Sequence, residues 1–114
     1  PPNKTAEMFF RQGFREFRAR NFIRARTQFE LVLQIVPDHE MALRYRDNCA
    51  REIEVEVGVL MQQGRRNFEA GKYRESRGQY ETVLRLLTGD QSNPAFAEAQ
   101  KQLDRIKDEL ERVD

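Results

Sequence analysis

The chain has little with which to do chemistry. Its 114 residues include one cysteine and one histidine. A disulfide framework needs pairs of cysteines and an ordinary zinc site needs several Cys or His ligands, so both are excluded. Long apolar runs are missing too, and nothing approaches the roughly 20 residues that cross a bilayer. No Gly-rich phosphate loop and no secretory signal peptide is visible. Charge of one sign is lacking: Lys+Arg 20 against Asp+Glu 19 leaves +1. That balance speaks against a protein whose main task is coating nucleic acid or an anionic membrane. The start, Pro1-Pro2-Asn3 rather than Met, is what a piece of a longer protein shows.

What remains is enough for a core. Leu, Ile, Val and Phe make up about a quarter of the chain, above the level of disordered segments. The length suits one domain, residues 1–114.

The informative feature is internal similarity. Shifting the chain by 51 aligns residues 12–33 with 63–84 without a gap, and ten of those 22 pairs are identical. They include Gln12/Gln63, Gly13/Gly64, Phe17/Phe68, Ala19/Ala70, Gln28/Gln79 and Val32/Val83. Phe22/Tyr73, Phe29/Tyr80 and Ala25/Ser76 keep their character. A shared hydrophobic period alone does not place small, aromatic and charged residues in one register, so the chain is an internal duplication.

Each copy reads as two helices around a tight turn. Phe9, Phe10, Gly13, Phe14 and Phe17 form one apolar helical face, with Thr5 as N-cap and Glu7 in the first turn. Asn21 stands where a left-handed residue ends a helix. Phe22, Ala25, Phe29, Val32, Leu33 and Val36 form a second face, stopped by Pro37. In the second copy Leu60, Met61, Gly64 and Phe68 repeat the first face, Gly71 breaks it, and Tyr73, Tyr80, Val83, Leu84 and Leu87 repeat the second. Gly13 and Gly64 permit close approach of paired helices, with Ala25 and Ser76 as small partners.

Between the copies, Asp38 reads as an N-cap. Met41, Ala42, Tyr45, Cys49, Ile53, Val57 and Leu60 then continue at helical spacing into copy two. The spacing predicts one long helix, about Asp38 to Ala70. Residues 53–59 alternate like a strand, but no second strand is there to pair with them. After a loop over 88–93, Asn93 and Pro94 open a last helix. Phe96, Ala99, Leu103, Ile106, Leu110 and Val113 lie 3, 4, 3, 4 and 3 apart, a heptad seam. The seam predicts a cap over copy two, with a dimeric coiled coil as the alternative.

These residues resemble the tetratricopeptide repeat family over about 6–39 and 57–90. The family's 34-residue signature has a small residue in the first helix, an aromatic after the turn, then a small residue, an aromatic and a closing Pro. Gly13, Phe22, Ala25, Phe29 and Pro37 match it, as do Gly64, Tyr73, Ser76 and Tyr80, with Thr88 in place of Pro. Gln12 and Gln63 stand at a usually apolar position, Arg15 and Arg66 at a usually small one, and the copies are 51 rather than 34 residues apart. The resemblance implies an all-α protein of about five helices, a right-handed α-solenoid fragment. Its parts are repeat one at 6–39, a linking helix at 38–56, repeat two at 57–90 and a capping helix at 94–113. Likeness to three-helix versions of the repeat implies a larger bacterial assembly protein.

No residue pattern indicates catalysis, a metal or a cofactor. His39 reads as a solvated loop residue and Cys49 as a buried structural thiol. Glu52, Glu54 and Glu56 point to different faces of a helix. A lone thiol suits the cytoplasm, and a buried one survives in a periplasm, so the compartment stays open. The arginines are more telling, at 16 against four lysines. Arg11, Arg15 and Arg18 form one stripe beside Phe10, Phe14 and Phe17. Charge runs +4 over 1–37, −2 over 38–69, +2 over 70–89 and −3 over 90–114. The expected function is a non-enzymatic interaction module that grips an acidic protein or peptide. Self-association through the last helix is the alternative, ahead of nucleic-acid binding through the Arg/Phe stripe. The resemblance places Arg11, Phe14 and Arg18 with Gln62, Arg65 and Glu69 in a concave partner groove.

Chaperone-tail binders of that family clamp a terminal carboxylate with Lys and Asn, whereas Phe10/Phe14 and Met61/Arg65 stand at those positions here. Titration with an acidic heat-shock chaperone tail is therefore expected to give no binding; micromolar affinity contradicts it.

Overall fold

Pro, Gly and Asn positions cut the chain into five helices. In a computed structural model that describes residues 3–113 they are α1 (Lys4–Arg18), α2 (Phe22–Ile35), α3 (Glu40–Glu69), α4 (Tyr73–Leu86) and α5 (Pro94–Val113). No strand occurs among the described residues. Packing divides the chain into two compact units that meet between Glu54 and Val55, inside α3. The strand-like stretch at 53–59 is helical because its apolar residues form two i, i+4 rows. Ile53 and Val57 are each 3% exposed, whereas Val55 and Val59 are 63% and 47% exposed.

In unit 1, α1 and α2 pack as a hairpin. A Cβ at Gly13 would lie 2.8 Å from the Phe29 ring, so only glycine lets that ring rest on the α1 backbone. Unit 2 repeats the device between α3 and α4: a Cβ at Gly64 would lie 2.8 Å from the Tyr80 ring. Ser76 sharpens the second contact by donating its buried hydroxyl to the Gly64 carbonyl at 2.7 Å.

The turns also repeat. Asn21 N–H donates to Glu16 O and Arg20 N–H to Phe17 O; Lys72 N–H donates to Asn67 O and Gly71 N–H to Phe68 O. This is the Schellman pattern, which puts its C′ residue in the left-handed region. That residue is Gly71 at φ 75° in copy two, as expected. In copy one it is Arg20 at φ 65°, not Asn21. Arg20 holds that conformation with its guanidinium over the Phe22 ring at 5.1 Å and an exposed contact to Glu52 at 3.6 Å.

Two caps differ from the expected ones. Asn3, not Thr5, caps α1, accepting from Ala6 N–H at 3.0 Å. His39, not Asp38, caps α3: its Nδ1 accepts from Ala42 N–H at 3.1 Å. His39 is accordingly half-buried, its ring stacked on Phe10 at 5.2 Å, rather than a solvated loop residue. Asn93 does cap α5, through Ala95 N–H at 3.0 Å, with Pro94 first in the helix.

α5 packs on α4. Ala99, Ile106 and Leu110 of the seam are buried, and Phe96 and Leu103 are half-buried, so unit 2 itself covers this face; the Val113 side chain lies outside the described residues. Buried Ala42, Cys49 and Ile53 on α3 correspond to Ala99, Ile106 and Leu110, 57 residues later rather than 51. The third helix is thus part of the duplication, displaced by residues added in the connection before α5.

A methyl group added at two open glycines should act with opposite signs. Nothing lies within 4 Å of a Cβ at Gly71 or Gly78. Gly71→Ala is expected to lose about 1 to 2 kcal/mol, because its φ is left-handed. Gly78→Ala, inside α4, is expected to gain up to about 1 kcal/mol from helix propensity. Urea unfolding of both variants checks the pair. The fully buried Cys49 supplies a second expectation. Burial pushes its thiol from 9.0 to about 11, with Arg26 lowering and Glu52 raising it by smaller amounts. The unfolded chain ionises first, so stability is unaffected below about pH 9. It falls by roughly 2 to 3 kcal/mol by pH 11. Unfolding free energies across that range should show a shallower alkaline slope in Cys49→Ala than in the wild type.

Candidate interaction sites

In unit 1 the aromatic residues gather around Tyr45 of α3. Its ring meets Phe10, Phe14 and Phe17 edge-on at 6.1, 5.6 and 5.1 Å and stacks on Phe29 at 5.5 Å and 18°. Such ring pairs add about 0.5 to 1.5 kcal/mol each beyond area burial. The cluster fixes the face of α1 that carries the stripe. Arg11, Arg15 and Arg18 are exposed there and, with Phe10 and Phe14, line a shallow hollow of about 460 Å³. Among the described residues of unit 1 no ion pair joins a carboxylate to any of the three, and Arg18 rests over the Phe14 ring at 6.0 Å. The structure therefore brings Arg11, Phe14 and Arg18 together.

Beside it, between α1 and α2, a hollow of about 370 Å³ is lined by Gln12, Arg15, Glu16, Arg24 and Gln28, among others. Gln28 Oε1 is buried there without a hydrogen-bond partner. The duplication explains the orphan. In unit 2 Asn67 Nδ2 donates to Gln79 Oε1 at 2.8 Å. Glu16 occupies the Asn67 position in copy one, and a carboxylate has no donor to give. Glu16 instead accepts from Asn21 Nδ2 at 2.9 Å.

Unit 2 treats its ring cluster differently. Phe68 and Tyr73 keep the edge-on pair of Phe17 and Phe22. The positions of Phe10, Phe14 and Tyr45 hold Met61, Arg65 and Gln102. A cavity of about 470 Å³ lies among Met61, Arg65, Phe68, Glu69, Tyr73, Tyr80, Glu98, Gln102 and Arg105. Its wall is ordered by a short relay. Glu98 Oε2 accepts from Gln102 Nε2 at 2.6 Å, and Gln102 Oε1 accepts from Arg105 Nη1 at 3.0 Å. The Arg105 guanidinium then sits 4.5 Å over the Phe68 ring. Burial pushes the Tyr80 phenol above its ordinary value; Arg65 and Arg105 oppose the shift, Glu98 and Glu69 reinforce it. Of the expected residues, Arg65 and Glu69 belong to this cavity, whereas Gln62 is exposed and outside its lining. Tyr80 was expected as a core residue of the second apolar face, whereas Glu98, Gln102 and Arg105 were not anticipated, because the 57-residue register of the third helix hides their equivalence to copy one.

Neither site holds a nucleophile beside a base, and the described residues contain no group of three or more His, Cys, Asp or Glu able to hold a metal. No helix among them is long and apolar enough to cross a membrane. No family model, curated protein or solved structure matches the chain.

Proposed function

We propose that the chain is a non-enzymatic protein-interaction module of tetratricopeptide type, and that α1 grips an acidic, partly apolar peptide or helix. One observation carries this reading: Arg11, Arg15 and Arg18 stand exposed in one row beside Phe10 and Phe14, with no carboxylate of unit 1 neutralising them. A row of unpaired guanidinium groups offers bidentate contacts to carboxylates, and the adjoining rings offer apolar area. The repeated Gly–aromatic packing supports the tetratricopeptide-type reading, since it uses the positions that carry the family's signature. The acidic residues of the C-terminal helix and the seam buried within unit 2 count against nucleic-acid binding and against pairing of two α5 helices.

Charge reversal tests the reading without touching the core. Arg11→Glu/Arg18→Glu should keep the helical circular-dichroism spectrum and lose the partner that the wild type captures in a pull-down. The loss should be about tenfold or more in affinity once that partner is purified. Undiminished capture by the folded double variant overturns the assignment.

A further inference from the structure

Two exposed helix faces of this chain carry charge rows of one spacing and opposite sign. On α1, Arg11, Arg15 and Arg18 stand at i, i+4 and i+7. On α5, Asp104, Asp108 and Glu111 repeat that spacing. All six residues are exposed, and among the described residues no ion pair joins any of them to a partner. We infer that the arginine row of α1 is a docking surface for a second copy of this chain, which presents the acidic row of its α5. The inference rests on the reading of α1 as a surface for acidic segments and names the segment.

Helix geometry makes the two rows fit. Each spans about 10 Å of helix axis. Laid antiparallel, Arg11 meets Glu111 and Arg18 meets Asp104 at the two ends. Arg15 then meets Asp108 with an axial offset of about 1.5 Å, well within the reach of a guanidinium. An antiparallel pair also brings like flanks of the two helices together. That flank of α1 carries Phe10 and Phe14, and the same flank of α5 carries half-buried Leu103. Leu103 opens onto a groove of about 430 Å³ between α4 and α5, with Asp104 and Glu111 also in its lining. The acidic row therefore borders apolar surface, as the arginine row does. The bases of α5 that are exposed on this side, Lys101, Lys107 and Arg112, stand to either side of the acidic row and leave the row itself one sign. One exposed ion pair is worth little. Three guanidinium–carboxylate pairs beside apolar area give a weak, specific contact that salt screens. The two rows lie on different helices, so the contact is heterologous and adds copies head to tail. It leaves the α5 seam buried within its own unit.

Sedimentation velocity of the whole chain tests this over a concentration series. At low salt the weight-average mass of the wild type should rise with concentration, and about 0.5 M salt should return it to the monomer. Two variants remove one row each: Arg11→Glu/Arg15→Glu/Arg18→Glu and Asp104→Lys/Asp108→Lys/Glu111→Lys. Each alone should keep the helical circular-dichroism spectrum and associate at least about tenfold more weakly than the wild type. Mixed with each other, the two should associate again, because every reversed row then meets one of opposite charge. A wild type that stays monomeric throughout, association that survives either reversal, or a mixture of the variants that stays monomeric overturns the inference. The outcome is separate from that of the pull-down. A monomeric wild type whose capture of an unlike protein still needs Arg11 and Arg18 removes the second copy as occupant and leaves the reading of α1 standing.

Discussion

The closeness of an aromatic ring to a helix backbone governs both halves of this protein. Phe29 sits against Gly13 and Tyr80 against Gly64 at separations that no other residue allows. Glycine inside a helix costs about 1 kcal/mol relative to alanine, and the chain accepts that cost twice at equivalent positions. The return is a ring packed close against main-chain atoms, which sets how near the paired helices come. That spacing makes the small residues Ala25 and Ser76 necessary at the next contact. It also defines the hollow into which the third helix of each unit projects a side chain.

From that shared frame the copies diverge in one respect that matters for function. Unit 1 closes its hollow with Tyr45, and its surface is left with a cationic row over a completed aromatic cluster. Unit 2 places Gln102 there, with the Arg105 guanidinium laid over Phe68 in place of a tyrosine ring and Tyr80 still buried. Lost packing removes stability, yet unit 2 gains a hydrogen bond that copy one lacks, Asn67 to Gln79, while Gln28 of copy one remains unsatisfied. Each unit therefore carries one completed and one incomplete feature, on opposite sides of the ledger.

Much of the fold was legible in the residues, because small and aromatic positions in a common register report packing directly. The five helices, the break at Gly71, the stop at Pro37 and the capped start at Asn93 all followed from local chemistry. Left-handed backbone at Arg20 was not legible. Asn is the better occupant of that region, and Arg adopts it only because the turn geometry and the Phe22 face hold it there. The His39 cap was hidden for a similar reason: it depends on an imidazole fixed by stacking on Phe10, a contact far along the chain. The largest omission concerned the site. A third of the residues lining the unit 2 cavity come from α5, whose kinship with α3 shows when burial aligns Ala42, Cys49 and Ile53 with Ala99, Ile106 and Leu110.

Net charge also needs to be read at the scale over which charge acts. Exposed charges are screened beyond about 8 to 10 Å in physiological salt, so the +1 of the whole chain says little about any one face. In unit 1 Glu52 of α3 meets Arg20 at the turn rather than the row on α1. The row on α1 carries one sign of charge, while the unit 2 cavity is lined by both signs, Arg65 and Arg105 with Glu69 and Glu98. Exposed surface charge mainly accelerates encounter with a complementary partner, whereas a shaped, partly buried contact mainly slows departure.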